Sequence, residues 1–254
     1  THMRASAPPR ASREPVIDTR LSHAGQVETA RLAIYWLPAP DHPLWEAGCL
    51  WLGRDPRGDD APGQRPPEHA RAPWRYGFHA TLKAPMALRV AGTEDRFMSA
   101  VAALAARHRD FALPPLQVNW LAGFLALRPS SAPARGHPLR RLADACVTEL
   151  DDWRAPMDLA EVERRGSAIP LAQRDEQLAL LRRWGYPHVL DHWRFHLTLS
   201  DREPAGAPAL LARARAHFAR ALEQPLRAHA IAVCREDAPW APLRLVQRFE
   251  LAAG

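Results

Sequence analysis

Apolar and polar positions divide the chain into short alternating elements. Arg31-Leu-Ala-Ile-Tyr-Trp-Leu37 is the first sustained apolar run, and Pro38 and Pro40 end it, so it predicts a strand. A second strand is predicted over 77–89. Phe97, Val101 and Leu104 recur at i, i+4, i+7 and predict a helix over about 93–109. Residues 116–127 read as a strand or a hairpin around Gly123, and Arg128 to Pro138 as a loop. Leu139, Leu142, Cys146, Val147 and Leu150 form a helical stripe, with Cys146 as a small core hydrophobe. A helix at about 171–184 stops at Gly185-Tyr186-Pro187. Residues 193–200 alternate as a strand. Leu211, Ala214, Phe218 and Leu222 mark another helix, and strands at about 226–234 and 243–251 close the chain. Each half pairs strands with a helix, which predicts an α+β protein of two similar lobes in one unit. Residues 1–26, rich in Pro, Arg, Ala and Ser, lack any apolar period and are expected to be a disordered tail, leaving 27–254 as one bilobal domain. Thr1-His2 ahead of Met3 is set aside as an appendage. The Gly-, Pro-, Asp- and Arg-rich stretch 52–75 is long enough to be functional or mobile.

Composition narrows the class. The 254 residues are 47% hydrophobic and 24% charged, the balance of a globular chain with a real core. No apolar run approaches the roughly 18 to 20 residues of a membrane helix, and no signal peptide is visible, so a cytoplasmic location is expected. Cys49, Cys146 and Cys234 lie far apart without a Cys-x-x-Cys, against a disulfide framework or a zinc site. The net charge is +6, of which the tail (Arg4, Arg10, Arg13, Arg20 against Glu14 and Asp18) holds two. The mild remainder suits a small anionic substrate better than a nucleic-acid polymer. Lys83 is the one lysine; every other basic residue is Arg.

Chemistry concentrates in a repeat. Phe78-His79-Ala80-Thr81-Leu82 recurs as Phe195-His196-Leu197-Thr198-Leu199. Chance placement of these residue types predicts only about 0.01 occurrences of Phe-His-x-Thr in such a chain. In a strand, His79 and Thr81 share one face and Phe78, Ala80 and Leu82 the other; the second copy repeats this. Two such strands, one per lobe, are expected to face a cleft. An imidazole pair can take a proton from a nucleophile and give one to a leaving oxygen at neutral pH. Threonine hydroxyls can donate to non-bridging phosphate oxygens, and no metal is needed.

The paired His-x-Thr motifs resemble those of the 2H phosphoesterase superfamily. Arg75-Tyr-Gly-Phe-His-Ala-Thr-Leu-Lys-Ala-Pro85, Gly123-Phe-Leu-Ala-Leu127, Arg183-Trp-Gly-Tyr-Pro187 and Arg194-Phe-His-Leu-Thr-Leu199 look like its phosphonate-metabolism branch, associated with carbon–phosphorus lyase genes. The stretch from Tyr35 to Trp45 also fits, and the resemblance runs from about Arg31 to Leu251. It implies a bilobal fold with two antiparallel sheets related by a pseudo-twofold axis. It also implies metal-independent, cofactor-free hydrolysis of a cyclic phosphate, such as a ribose 1,2-cyclic phosphate. By analogy His196 activates water and His79 protonates the leaving alkoxide.

Around the catalytic set His79, Thr81, His196 and Thr198, strand parity puts Arg75, Lys83 and Arg194 on the cleft face, where cations meet phosphate. Tyr76 rests on the family pattern, and Tyr35, on the first strand, completes the substrate-binding candidates. His188, His192 and His196 have the spacing of ligands on a helix, but the alternation from Trp193 to Leu199 argues for a strand, which would spread them too far for a metal. Trp45, Trp153, Trp184 and Trp193 read as core. The partner expected is a small phosphorylated substrate of a monomeric protein. Rival readings are an RNA-end 2′,3′-cyclic phosphodiesterase and a non-catalytic phosphometabolite-binding module.

Overall fold

The computed structural model describes residues 30–58 and 65–254. The expected tail at 1–26 and part of the stretch 52–75 lie outside the described residues. The architecture is α+β. A seven-stranded antiparallel sheet runs in the order β4-β5-β6-β2-β1-β8-β9, and β3 and β7 form a small second sheet. The strands are β1 (Arg31–Trp36), β2 (Ala80–Ala87), β3 (Phe111–Ala112), β4 (Leu116–Leu121), β5 (Phe124–Pro129), β6 (Leu197–Thr198), β7 (Arg227–Ala228), β8 (Ala230–Glu236) and β9 (Arg244–Glu250). The helices are α1 (Pro43–Leu52), α2 (Arg71–Tyr76), α3 (Glu94–Ala106), α4 (Pro138–Thr148), α5 (Leu159–Gly166), α6 (Arg174–Trp184) and α7 (Ala207–Phe218). None is long and apolar enough to cross a membrane.

Local chemistry sets the boundaries. In both α1 and α4 a proline in the first turn follows a histidine N-cap: His42 accepts from the Leu44 amide and His137 from the Leu139 amide, each at 3.1 Å. Gly53, at φ 71°, ends α1 in the left-handed conformation. Asn119 to Phe124 form the expected hairpin, with Leu121 opposite Phe124. Helix α5 has no counterpart in the sequence reading; its apolar stripe is only Val162 and Gly166 buried among charges.

The sheet has two unlike faces. Leu32, Ile34, Trp36, Phe78, Ala80, Leu82, Phe195, Leu197 and Leu199 join the main core with residues of α1, α3, α4 and α7. Ala33, Tyr35, Leu37, Ala232 and Cys234 form a smaller cluster on the other face, closed by Trp45 and Leu243. That second face carries the candidate site.

Candidate active site

The two motifs lie side by side. β2 and β6 pair antiparallel with Ala80 opposite Leu197, whereas the sequence predicts strands facing each other across a cleft. The register sets His79 across from Thr198 and Thr81 across from His196, a local twofold about the Ala80–Leu197 pair. Ala80 and Leu197 are buried in the core, and the four polar side chains, all half-buried, share the opposite face. The pairing also sets where the two halves of the sheet meet: β4, β5 and β6 on one side, β2, β1, β8 and β9 on the other.

Both imidazoles are held alike. His79 Nδ1 lies 2.9 Å from the Gly77 carbonyl and His196 Nδ1 2.8 Å from the Arg194 carbonyl, each two residues upstream. A carbonyl only accepts, so Nδ1 carries the proton and Nε2 keeps its lone pair. Nε2 of His79 is 3.1 Å from the Thr81 hydroxyl, which donates to it. Gly77, at φ 75°, is in a conformation suited to glycine, and it turns the chain from α2 into the motif. Burial pushes His79 down to about 4, the Gly77 hydrogen bond opposes this, and the charge of His196 adds to it. Burial also lowers His196, opposed by its backbone bond and assisted by Arg128. Burial thus leaves both rings as neutral bases at neutral pH.

The surroundings of the pair come from across the chain. Tyr35 stacks on His79 with ring centroids 3.8 Å apart, and Tyr76 lies 6.1 Å from the same ring. Tyr186 interacts electrostatically with both Tyr35 and Tyr76, so all three tyrosines of the chain gather here. Phe124 packs 5.6 Å from His196. Trp193 Nε1 donates to the Thr81 carbonyl at 2.8 Å, and Asp201 caps α2 through the Arg71 and Ala72 amides. Each motif is therefore tied to the segment flanking the other.

Three predicted cations take different places. Lys83 is 4% exposed and lies on the core face. A bulge is the cause: Thr81 pairs with Tyr35 but Lys83, not Leu82, pairs with Ile34, so Leu82 and Lys83 follow one another on one face and parity is lost. Lys83 donates to the Val147 carbonyl at 3.0 Å and pairs with Asp151 at 3.4 Å. Arg75 belongs to α2 rather than to a strand; it pairs with Glu236 and stacks over Tyr76 and Trp240. Arg194 is exposed and donates to the carbonyls of Asp191 and Trp193, because only Leu197–Thr198 of the predicted 193–200 strand joins the ladder.

Arg128, expected in a loop, lies on β5 instead. Continuing the ladder Ala126↔Thr198, Leu127↔Leu197 sets it opposite His196. Its signal was the alternation of Phe124, Ala126 and Arg128 along β5. His188 is a second addition; it packs against Tyr186 at 5.4 Å, and its pKa is lowered by burial and by nearby His196. His192 instead pairs with Glu176 at 2.8 Å. Among the described residues no group of three His, Cys, Asp or Glu could hold a metal ion.

Two proteins named ribose 1,5-bisphosphate phosphokinase PhnN are similar to this chain. That of Janthinobacterium sp. (strain Marseille) is 35% identical over 86% of this chain and 50% of its own length. That of Laribacter hongkongensis (strain HLHK9) is 38% identical over 80% of this chain and 48% of its own. The chain thus spans about half the length of these relatives. Among solved structures, E. coli LigT complexed with phosphate and with 3′-AMP each align at TM-score 0.40 and 16% identity, over 89% of this chain and 99% of theirs. A family profile matches residues 81–244, and the chain belongs to that family, described as protein of unknown function DUF1045.

Proposed function

We propose that this chain is a metal-independent phosphodiesterase of the 2H type that hydrolyses a cyclic phosphate on a ribose. One observation carries the reading: the antiparallel pairing of Ala80 with Leu197, which groups two Nδ1-protonated imidazoles and two threonine hydroxyls on one face. Water attacks phosphorus as one imidazole Nε2 takes its proton. The other imidazole, protonated on binding the anion, delivers a proton to the departing ribose oxygen, and the product is a phosphate monoester. Once protonated, His79 Nε2 no longer accepts from Thr81, so the Thr81 and Thr198 hydroxyls donate to the non-bridging oxygens, with Arg128 close by to hold their charge. Following the resemblance, His196 is assigned to water and His79 to the leaving group.

The named relatives act, by their name, on a phosphorylated ribose, which supports such a substrate here, and the resemblance of the motif blocks points to phosphonate breakdown. The chain itself has no Gly-x-x-x-x-Gly-Lys phosphate loop, since its one lysine follows Leu82. We therefore assign it a hydrolytic step rather than phosphorylation.

Turnover measured in EDTA, on a ribose 1,2-cyclic phosphate, a nucleoside 2′,3′-cyclic phosphate and a short RNA ending in a cyclic phosphate, tests the reading. The His79→Ala/His196→Ala protein is the blank. Turnover of the ribose compound alone supports the metabolic substrate. Preference for the RNA, with a steep salt dependence, replaces it with RNA-end hydrolysis. Binding without any turnover overturns the enzyme and leaves a phosphometabolite-binding module.

A further inference from the structure

Helix α2 delivers the first motif. Its end leads into Gly77, whose carbonyl lies 2.9 Å from His79 Nδ1. So short a helix is not stable on its own in water, where roughly a dozen residues or more are needed. Its N-cap position is Ala70, which offers no side-chain acceptor. What fixes α2 comes from elsewhere in the chain.

Asp201 supplies the missing cap. Its two carboxylate oxygens accept from the Arg71 and Ala72 amides at 3.0 and 2.8 Å, and its own amide donates to the His69 carbonyl at 2.8 Å. A carboxylate also suits the positive end of a helix. Asp201 follows Thr198 by three residues, and the segment between them is anchored. The buried Ser200 hydroxyl accepts from the Leu125 amide at 2.9 Å and donates to the Asp201 carbonyl at 2.8 Å. The cap is thus an extension of the second motif.

Arg54 grips the other end. It is 2% exposed and donates to the carbonyls of Trp74 and Arg75, at 3.2 and 3.1 Å, and to that of Leu243. A cation suits the carbonyls of a last helical turn. Arg54 directly follows Gly53, the left-handed end of α1, and α1 is tied to the second motif in turn: Trp51 Nε1 donates to the Leu199 carbonyl at 2.7 Å. Both ends of α2 therefore lead back to Leu199 and Asp201.

His196 is supported differently. Its Nδ1 acceptor, the Arg194 carbonyl, follows a single 3-10 turn, Leu190–His192, rather than a gripped helix.

We propose that Asp201 and Arg54 are positioning residues for His79: by gripping both ends of α2 they hold the Gly77 carbonyl against Nδ1 and so keep Nε2 aimed at the reacting ester. The catalytic half of this statement rests on the phosphodiesterase reading above; the half about the imidazole does not.

The test is NMR of the histidine side chains at neutral pH, on wild type, Asp201→Ala, Asp201→Asn and Arg54→Lys, each checked for folding by circular dichroism. Asp201→Ala speeds solvent exchange of the His79 Nδ1 proton about tenfold or more and raises the share of the Nε2-protonated tautomer. Asp201→Asn, which keeps one acceptor oxygen, changes it less, and Arg54→Lys, which cannot span the carbonyls, resembles Asp201→Ala. His196 keeps its wild-type signature throughout. In turnover, kcat falls about tenfold in Asp201→Ala while KM stays unchanged. An unaltered His79 proton in folded Asp201 variants overturns the proposal, and so does an equal change at His79 and His196, which is general loosening. If Asp201→Ala does not fold, Asp201→Asn decides by the same signature. Wild-type turnover of a cyclic phosphate beside an unaltered His79 leaves the phosphodiesterase standing without the clamp. The expected His79 response with no turnover of any cyclic phosphate keeps the clamp and sinks the reaction.

Discussion

Ala80 of β2 lies directly opposite Leu197 of β6, and this one contact relates the two His-x-Thr motifs by a local twofold. Because side chains alternate, the pair is buried in the core while the residues flanking each member share the opposite face. The symmetry extends to the imidazoles, both held through Nδ1 by the carbonyl two residues upstream.

Replacing either imidazole is expected to remove most turnover, roughly 100-fold or more, without unfolding the protein. Both pKa values are lowered in the folded protein, so kcat/KM should be bell-shaped with its optimum on the acid side of 6.5. The same shift links to stability. The unfolded chain binds a proton at His79 near pH 6.5 and the folded one only near 4, so folding stability falls as pH drops through that window. Urea melts at pH 7 and pH 4.5 check it: His79→Ala should lose less stability over this range than wild type.

Arg128 depresses the His196 pKa from the neighbouring strand. Arg128→Gln should raise it, visible as an upward shift of the His196 imidazole resonance titration by NMR. Turnover should also fall about tenfold or more if the guanidinium holds phosphate.

Lys83 should matter to stability rather than to phosphate affinity. Lys83→Ala leaves a void beside Val147 and removes one partner of Asp151, costing roughly 2–4 kcal/mol in chemical denaturation. Lys83→Met, which keeps the stem, should cost about half as much, because Arg154 and Arg183 still pair with Asp151. A large rise in KM with unchanged stability would contradict this placement.

Gly48 gives α1 its close approach to the first motif. A Cβ there would overlap the Phe78 ring, which also stacks on Phe218 at 5.8 Å. Gly48→Ala should destabilise the fold by about 1–3 kcal/mol and lower kcat by displacing His79, one residue from Phe78. Thermal melts with matched kinetics will separate the two effects.

Much of the fold could be read from pattern. Strand β1, the Gly123 hairpin and the stripes of α3, α4 and α7 follow from apolar period and turn chemistry, which are local. α5 could not be read this way, since its short charged segment buries only Val162 and Gly166. The spacing of alternate side chains put His79 with Thr81 and His196 with Thr198, and that much holds. It failed two residues later at Lys83, because a bulge is a property of the pairing with β1 and leaves no mark on β2 alone.

Periodicity and residue type within a few positions dictate the α+β class and the one-faced grouping of histidine with threonine in each motif, because both are local. Tertiary structure alone decided which strands are neighbours: β6 beside β2, Tyr35 over His79, Arg128 opposite His196, and Glu236 beneath Arg31 and Arg75. Those relationships join residues tens to hundreds of positions apart. They arise from burying two faces of one sheet at once, a global packing condition that no local pattern encodes.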